Sequence, residues 1–438
     1  MHRKFRFGAL ASGPLVILGV LGLLLPSHVA AQAAPPASPQ APPARVTLDQ
    51  AIDMALKHNH SLQAARTTIL QNQAQEITAN LRPNPTISGD TQFLPIFTPS
   101  DFNSEYFDNN AQFDMGVGYL FERGKKRQHR LQAAKDQTAV TAAQVGDNER
   151  TLTFNVASQF IAALLAQANV ELADTDLKSF QQTVDIGEEQ TKAGAMSEGD
   201  LLKIKLQLLQ FQTDVSAAKL ARIQAMASLR QLLGYESVAE NYEVVGDLEY
   251  KPVTLGKDDL KALALRQRPD VRAAQLGVTA AESQLSLAQA NGKRDVTASM
   301  NYSHVGAANS LSIFGSIELP IFDRNQGEIA RTRYAVGQSQ ELSSEQASIA
   351  LTDVENSYEG LHTADEVVQL YQSGYLKESE DSRDISQYAY QRGAASLLDF
   401  LDAERSYRAT QLAYRQALAS YMVALEQLRQ AVGTRSLP

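Results

Sequence analysis

The chain has 438 residues, contains neither Cys nor Trp, and carries a formal charge of −9. Without Cys it can form no disulfide and no thiolate metal site. Its acidic balance gives nucleic acid no basic face to bind.

The N-terminus reads as a targeting segment. Arg3, Lys4 and Arg6 precede an apolar run from Ala9 to Leu25, and Ala31-Gln32-Ala33 has the A-x-A form of a cleavage site. Residues 1–33 are therefore expected to be a secretory signal peptide, whose loss takes the formal charge to about −12. No Cys follows the run, so no lipid anchor is expected there. Residues 34–45 are a Pro/Ala-rich leader. Beyond residue 33 no run of about 18 apolar residues occurs, so any contact with a bilayer is expected to be made by strands.

From Val46 the chain contains one unit twice, over 46–234 and 257–433, with a linker at 235–256 and a tail at 434–438. VTLDQAIDMALKHNHSLQAAR opens the first copy and LGKDDLKALALRQRPDVRAAQ the second. GAMSEGDLL from Gly194 lies over GAASLLDFL from Gly393, and LRQLLG over LRQAVG, at one constant offset. Each copy is expected to run as two short helices, two strands, a very long helix, a Gly-containing turn and a long return helix. Residues 124–192 and 325–391 lack Pro, and each would reach roughly 100 Å as a single helix. The return helices, 198–233 and 397–432, carry apolar residues at threes and fours, as in Leu201, Ile204, Leu208, Phe211 and Val215. That spacing is a coiled-coil seam.

Four segments alternate between an apolar and a small polar face. Ile87, Gly89, Thr91 and Phe93 oppose Thr86, Ser88, Asp90 and Gln92. Phe113, Met115, Val117, Tyr119 and Phe121 oppose Gln112, Asp114, Gly116, Gly118 and Leu120. Val296, Ala298, Met300 and Tyr302 alternate with Thr297, Ser299, Asn301 and Ser303, and Leu311, Ile313, Gly315, Ile317 and Leu319 with Ser310, Ser312, Phe314, Ser316 and Glu318. Ten-residue segments of this kind fit transmembrane β-strands around a wet lumen. Four strands cannot close a barrel, and open edges are not tolerated in lipid. Two copies would give eight strands and a filled interior, whereas three would give twelve and an open lumen. The fold class expected is thus mainly α with membrane β: a trimeric 12-stranded β-barrel continuous with a long α-helical coiled-coil barrel.

At the turns, Gly194 and Gly393 suit the left-handed residue that ends a helix. Ser197 and Ser396 can cap the next helix, with Asp200 and Asp399 three residues on, as in a capping box. Asp399 and Asp402 share a helix face, so three chains would stack two carboxylate rings, which select cations. Arg123, Lys125, Lys126 and Arg127 form a basic cluster at a helix N-terminus, where cations are unfavourable; lipid headgroups and a solvated charge run are the two readings. His58 and His60 diverge on a helix and form no metal pair. Phe97, Phe102, Tyr106 and Phe107 lie in the loop between the first two strands. No nucleotide loop, zinc-protease motif or nucleophile elbow occurs, so neither an enzyme nor a cofactor is expected.

The duplicated unit, its paired strands and its long hairpins resemble the TolC-type outer-membrane efflux proteins, from Val46 to Gly433. LPIFDRNQGEIARTR (Leu319 to Arg333), LFERGKKRQHRLQAA (Leu120 to Ala134) and YQRGAASLLDFLDAERSY (Tyr390 to Tyr407) carry the resemblance most specifically. The first phrase is most similar to the cobalt-zinc-cadmium and heavy-metal branch. The resemblance implies a passive exit duct in the outer membrane, its helical part in the periplasm, working with a periplasmic adaptor and an inner-membrane pump of the resistance-nodulation-division type. It places Tyr390, Asp399 and Asp402 at gate positions, with Asp200 as bonding partner of the tyrosine. Gly194, Ser197, Gly393 and Ser396 would form the tip that meets the adaptor. A family member with a tight gate carries Arg where this chain has Ala395. A soluble periplasmic coiled-coil adaptor or scaffold is the alternative, and it leaves the four strands unexplained.

Overall fold

The computed structural model describes residues 44–253 and 256–437. The signal peptide and all of the leader except Ala44 and Arg45 lie outside them. The chain opens with β1 (Arg45–Val46), α1 (Leu48–His58) and α2 (His60–Ala79), then β2 (Thr86–Gln92), the short α3 (Ser104–Asn109) and β3 (Gln112–Phe121). A helix of 67 residues follows, α4 (Lys126–Lys192), and α5 (Glu198–Leu233) returns beside it. After β4 (Glu243–Val244) the order recurs: α6 (Lys257–Gln267), α7 (Pro269–Asn291), β5 (Val296–Val305), β6 (Ala308–Ile317), α8 (Gln326–Leu370), α9 (Leu376–Gln391) and α10 (Leu397–Val432).

Local chemistry sets the breaks between the short helices. Thr47 and Gln50 form a reciprocal capping box at the start of α1. Asn59 ends α1 and caps α2, accepting from the Leu62 amide at 3.0 Å, while its own amide donates to the Leu232 carbonyl at the end of α5. Arg268 holds the corresponding place between α6 and α7, where Pro269 fills the first helical position. Its buried guanidinium reaches Asp270, Asp353 and the Ala431 carbonyl at the end of α10. In each half, then, the short helix pair is pinned to the end of its own return helix.

Strands β2, β3, β5 and β6 form one antiparallel sheet in the order β2-β3-β5-β6. The register puts Thr86, Ser88, Asp90 and Gln92 against Gly118, Gly116, Asp114 and Gln112, and those against Ser299, Asn301, Ser303 and Val305. Ser303, Asn301, Ser299 and Thr297 then meet Ser310, Ser312, Phe314 and Ser316. One face is therefore mostly small and polar across all four strands, with Leu120, Val305 and Phe314 as interruptions. The other carries Ile87, Met115, Val117, Met300, Leu311 and Ile313, all exposed. A Cβ at Gly116 would stand 1.8 Å from Asn301 Oδ1, so any other residue there would have to turn the Asn301 side chain aside.

The sheet joins the helices through a charged knot. The Lys126 ammonium lies 2.7 Å from Asp295, whose other oxygen accepts from the Arg123 amide at 2.8 Å. Arg127 donates to Asn80, and Arg130 to Glu122 and to the carbonyls of Ala79 and Leu81. Burial pushes the Asp295 carboxyl up, but Lys126 and the Arg123 amide outweigh it and hold the group below the usual carboxylate range. Asp295 supplies the negative charge that the N-terminus of α4 favours. Lys126 and Arg127 thus belong to an internal joint, which neither reading of the basic cluster anticipated. Lys125 and Asn325 adopt φ of 57° and 63° at the starts of α4 and α8, so both strand-to-helix joins turn through a left-handed residue.

One expectation is corrected by the helices. The second long segment is interrupted: a π-helical turn at Tyr371–Tyr375, with Gly374 at φ 144°, separates α8 from α9. Within α4, one stretch is apolar enough to cross a bilayer by length and composition. Val156, Ala157, Phe160, Ile161 and Leu164 of α4 are buried, Val156, Phe160 and Leu164 in a core with α1, α5 and β4, so the apolarity is that of a core helix.

Breaking the joint should cost more than a surface pair. Asp295→Ala strands Lys126, which is 11% exposed, and should destabilise the detergent-solubilised protein by about 2–3 kcal/mol, near the lower end expected for a buried pair. The Lys126→Met/Asp295→Leu double variant should recover most of the loss in thermal unfolding followed by circular dichroism.

Candidate functional site at the tip of the helical hairpins

Both turns end their incoming helix in the same way. The amides of Gly194 and Ala195 donate to the carbonyls of Thr191 and Gln190, and those of Gly393 and Ala394 to Tyr390 and Ala389. With φ of 73° and 72° at the glycines, each is a Schellman motif. A Cβ at either glycine would meet nothing within 4 Å, so backbone conformation alone demands Gly.

The return helices start on capping serines. Ser197 Oγ accepts from the Asp200 amide at 3.1 Å and donates to its carboxylate at 2.9 Å. Ser396 and Asp399 form the full reciprocal box, with the Ser396 amide donating to Asp399 at 3.1 Å. Asp200 also takes the Lys203 ammonium at 3.0 Å. These hydrogen bonds hold both carboxyls below their usual range, led by Lys203 for Asp200 and by Ser396 for Asp399. Asp402 is 71% exposed and 3.8 Å from Arg405. Capping accounts for Asp200 and Asp399, whereas no cap uses Asp402.

Tyr390 is half-buried against the start of α10, stacked on Phe400 with centroids 5.5 Å apart. Burial raises its phenol and the Asp200 charge adds to the shift, so the structure brings these two together electrostatically. Among the described residues no hydrogen bond joins them. The two turns meet in one apolar cluster, where Phe180, Val184, Ile204, Phe211, Leu397 and Phe400 are buried. Of the expected seam of α5, Ile204, Phe211 and Val215 are buried, and Leu201 and Leu208 are half-buried.

Behind this cluster lies a group of charges that sequence reasoning passed over. Arg408 of α10 contacts Asp176 of α4 at 3.2 Å and Asp214 of α5 at 2.6 Å. Burial raises the Asp176 carboxyl, and Arg408 is the foremost opposing influence. Glu404, one turn before Arg408, is raised by burial too; Arg383 and Arg408 oppose the shift and Asp176 and Asp384 add to it. Arg383 itself lies over the Tyr407 ring at 4.0 Å. A signal was present in the sequence: Leu397, Leu401, Glu404 and Arg408 recur at threes and fours, so two charges occupy seam positions.

Among the described residues no group of His, Asp and Glu is arranged to hold a metal ion. The site packs apolar side chains from both hairpins and presents charge at its surface.

Comparison with known proteins agrees with this architecture. Residues 51–235 and 260–434 match the family described as outer membrane efflux protein. The chain is 24% identical to the cobalt-zinc-cadmium resistance protein CzcC of Cupriavidus metallidurans, over 91% of each chain. It superposes on a crystal structure of CusC with a TM-score of 0.73 at 21% identity, covering 88% of this chain and 92% of that one. The outer membrane channel CmeC of Campylobacter jejuni superposes with a TM-score of 0.74 at 18% identity, covering 88% and 85%.

The tip chemistry leads to two expectations. Gly393→Ala forces a left-handed Ala and Ser396→Ala removes a cap, and each should cost about 1 kcal/mol, read as a lower thermal midpoint. Glu404 has its folded pKa above the unfolded value. The stability it contributes is therefore complete below the unfolded pKa and is lost as pH rises through the folded one. Glu404→Gln should raise the thermal midpoint at neutral pH and flatten its dependence between acid and neutral pH.

Proposed function

The chain belongs to the outer membrane efflux protein family, whose members are outer-membrane channels rather than enzymes, and from that premise we propose that three copies form a passive exit duct for small solutes. The observation that carries the trimer is the sheet. Its edge strands β2 and β6 each lack a partner on one side, an arrangement that hydrocarbon does not tolerate. Three copies supply twelve strands, the smallest closed set with an open lumen, and the small polar face would line it.

A second feature of α5 supports the same reading. Leu202, Leu206, Leu209, Leu220 and Ile223 follow the spacing of a seam and are 55–68% exposed. The other seam of this helix is satisfied within the chain, so this one is open to a neighbouring copy. Closing each α5 on the next chain would continue the barrel as a helical tube. In this reading residues 1–33 direct export, and 46–234 and 257–433 are two copies of one duplicated unit.

The duct would receive its solute from a periplasmic adaptor and an inner-membrane pump, of the resistance-nodulation-division type, because the chain holds no energy-coupling motif of its own. Heavy-metal cations are the first class to test and drugs the second, since one relative alike over most of both chains is a cobalt-zinc-cadmium resistance protein. Asp402, with Asp399 beside it, would present carboxylates to the pore at the tip, and Asp200 and Tyr390 would set its resting width. Gly194, Ser197, Gly393 and Ser396 would shape the surface offered to the adaptor.

Outer membranes run on SDS gels without boiling should show a band near three chains that collapses to one on heating. A monomer in the soluble periplasmic fraction would instead favour the coiled-coil adaptor. In planar bilayers under a salt gradient, the Asp399→Ala/Asp402→Ala double variant should move the reversal potential toward zero. An unchanged potential would remove these carboxylates from the selectivity of the pore.

A further inference from the structure

Charge is divided between the two ends of the sheet. At the end away from the long helices, the segment between β2 and β3 carries Asp101, Glu105 and Asp108 and no Lys or Arg, and the β5–β6 turn carries no charge. The helix end is the reverse. Its acids next to the strands are already taken: Glu122 by Arg130, Asp295 by Lys126, and Glu318 by Arg294, which also lies near Asp323. Arg82, Arg123, Lys125, Lys293 and Arg324 are exposed there, and none of them has a carboxylate within salt-bridge distance among the described residues.

The two strand-to-helix joins bring these cations together. Gly124 lies against the Lys293 side chain, where an added Cβ would stand 2.6 Å from Cδ, and a Cβ at Gly292 would stand 2.8 Å from the Arg324 carbonyl oxygen. The Arg123 amide is fixed on the Asp295 carboxylate. Beside them the chain leaving β6 exposes Leu319, Ile321 and Phe322 to 71%, 64% and 90%. Leu319 continues the apolar alternation of Leu311, Ile313 and Ile317. Unpaired cations beside bare apolar side chains, at the ends of strands with an apolar outer face, match a ligand with an anionic head and an acyl tail. A neighbouring copy does not supply the missing charge. In the proposed duct β6 pairs with β2 of the next copy, and residues 77–85 leading into that strand contain Arg82 and no acid. Closure therefore adds to the positive charge of this belt.

We propose that Arg123, Lys125, Lys293 and Arg324, together with Arg82, bind the phosphate headgroups of anionic glycerophospholipids at the periplasmic leaflet, with Leu319, Ile321 and Phe322 seated among the acyl chains. The inference rests on the reading of the sheet as part of a membrane barrel.

The chain has no Trp, so Phe322→Trp places a single fluorophore in the belt. The full mature protein carrying it is reconstituted in vesicles of phosphatidylcholine with a minor share of phosphatidylglycerol, one or the other lipid brominated. Per mole of lipid, brominated phosphatidylglycerol should quench about tenfold more effectively, since each cation adds a modest attraction, and added salt should shrink the difference. Replacing Arg123, Lys125, Lys293 and Arg324 together by Gln should bring the two lipids to near parity. Arg123→Gln/Lys125→Gln alone should leave roughly a threefold preference, which keeps the test available if the quadruple variant does not fold. Arg123→Lys/Arg324→Lys, which keeps the charge, should retain the full preference. Equal quenching by the two lipids with all cations present, or a preference that the Gln variants leave untouched, would overturn the lipid site while leaving the barrel in place. A Trp quenched by neither lipid in an inserted protein would overturn it in favour of a contact between copies. A protein that enters no vesicle would overturn the membrane reading as well.

Discussion

The hydrogen-bonding groups along the outer edges of β2 and β6 govern the rest of the architecture. In water such edges are tolerable, but in a bilayer each unpaired amide or carbonyl costs several kcal/mol. In the proposed duct, a four-stranded sheet with an apolar outer face would therefore reach its working state by joining the sheets of other copies. The two strands of each half, the ten-residue length of β3, β5 and β6 and the small polar face would all serve that closure. The helical hairpins follow from the sheet, because β3 leads into α4 through the left-handed pair Gly124 and Lys125, and β6 into α8 through left-handed Asn325.

The joint between sheet and helices has to be stiff, and its chemistry shows how. Lys126 and Asp295 come from different halves of the chain and meet where the start of α4 needs a negative charge. Arg130 closes the same region by donating to carbonyls beyond the end of α2. Farther down, Asn59 and Arg268 pin the short helices to the ends of α5 and α10. Arg130, Asn59 and Arg268 make their fastenings by reaching backbone carbonyls at or just beyond helix ends, so they add direction as well as attraction. Toward the tip the fastening passes to a buried apolar cluster and to the guanidinium of Arg408, with Arg415 holding the Ala168 carbonyl farther from the turns.

The π-helical break in the second long helix, absent from the first, makes the two hairpins mechanically unequal despite their similar sequences. The carboxylates at the turns stay ionised through their capping hydrogen bonds, whereas those behind the aromatic stack, Asp176 and Glu404, are pushed toward the neutral form by burial. Charge is thus displayed at the opening and suppressed in the packing behind it.

Much of this was legible in the amino-acid order. Strand alternation has a period of two, so the faces of the sheet followed from composition, and the register only had to bring like faces together. The turns were equally readable, because Gly at the end of a helix and Ser-x-x-Asp at the start of the next act within a few residues. The seam through Ile204, Phe211 and Val215 followed from helical spacing. By contrast, the partners of Arg408, the meeting of Lys126 with Asp295 and the stack from Phe211 to Tyr390 join residues far apart in the chain. Only the relative placement of four long helices decides them. The break at Gly374 was also hidden, since a lone Gly in a long helical pattern is common and its backbone angle is set by what packs around it. Local chemistry wrote the elements and their faces; tertiary packing decided which charges were buried, which were paired and where the second hairpin was free to bend.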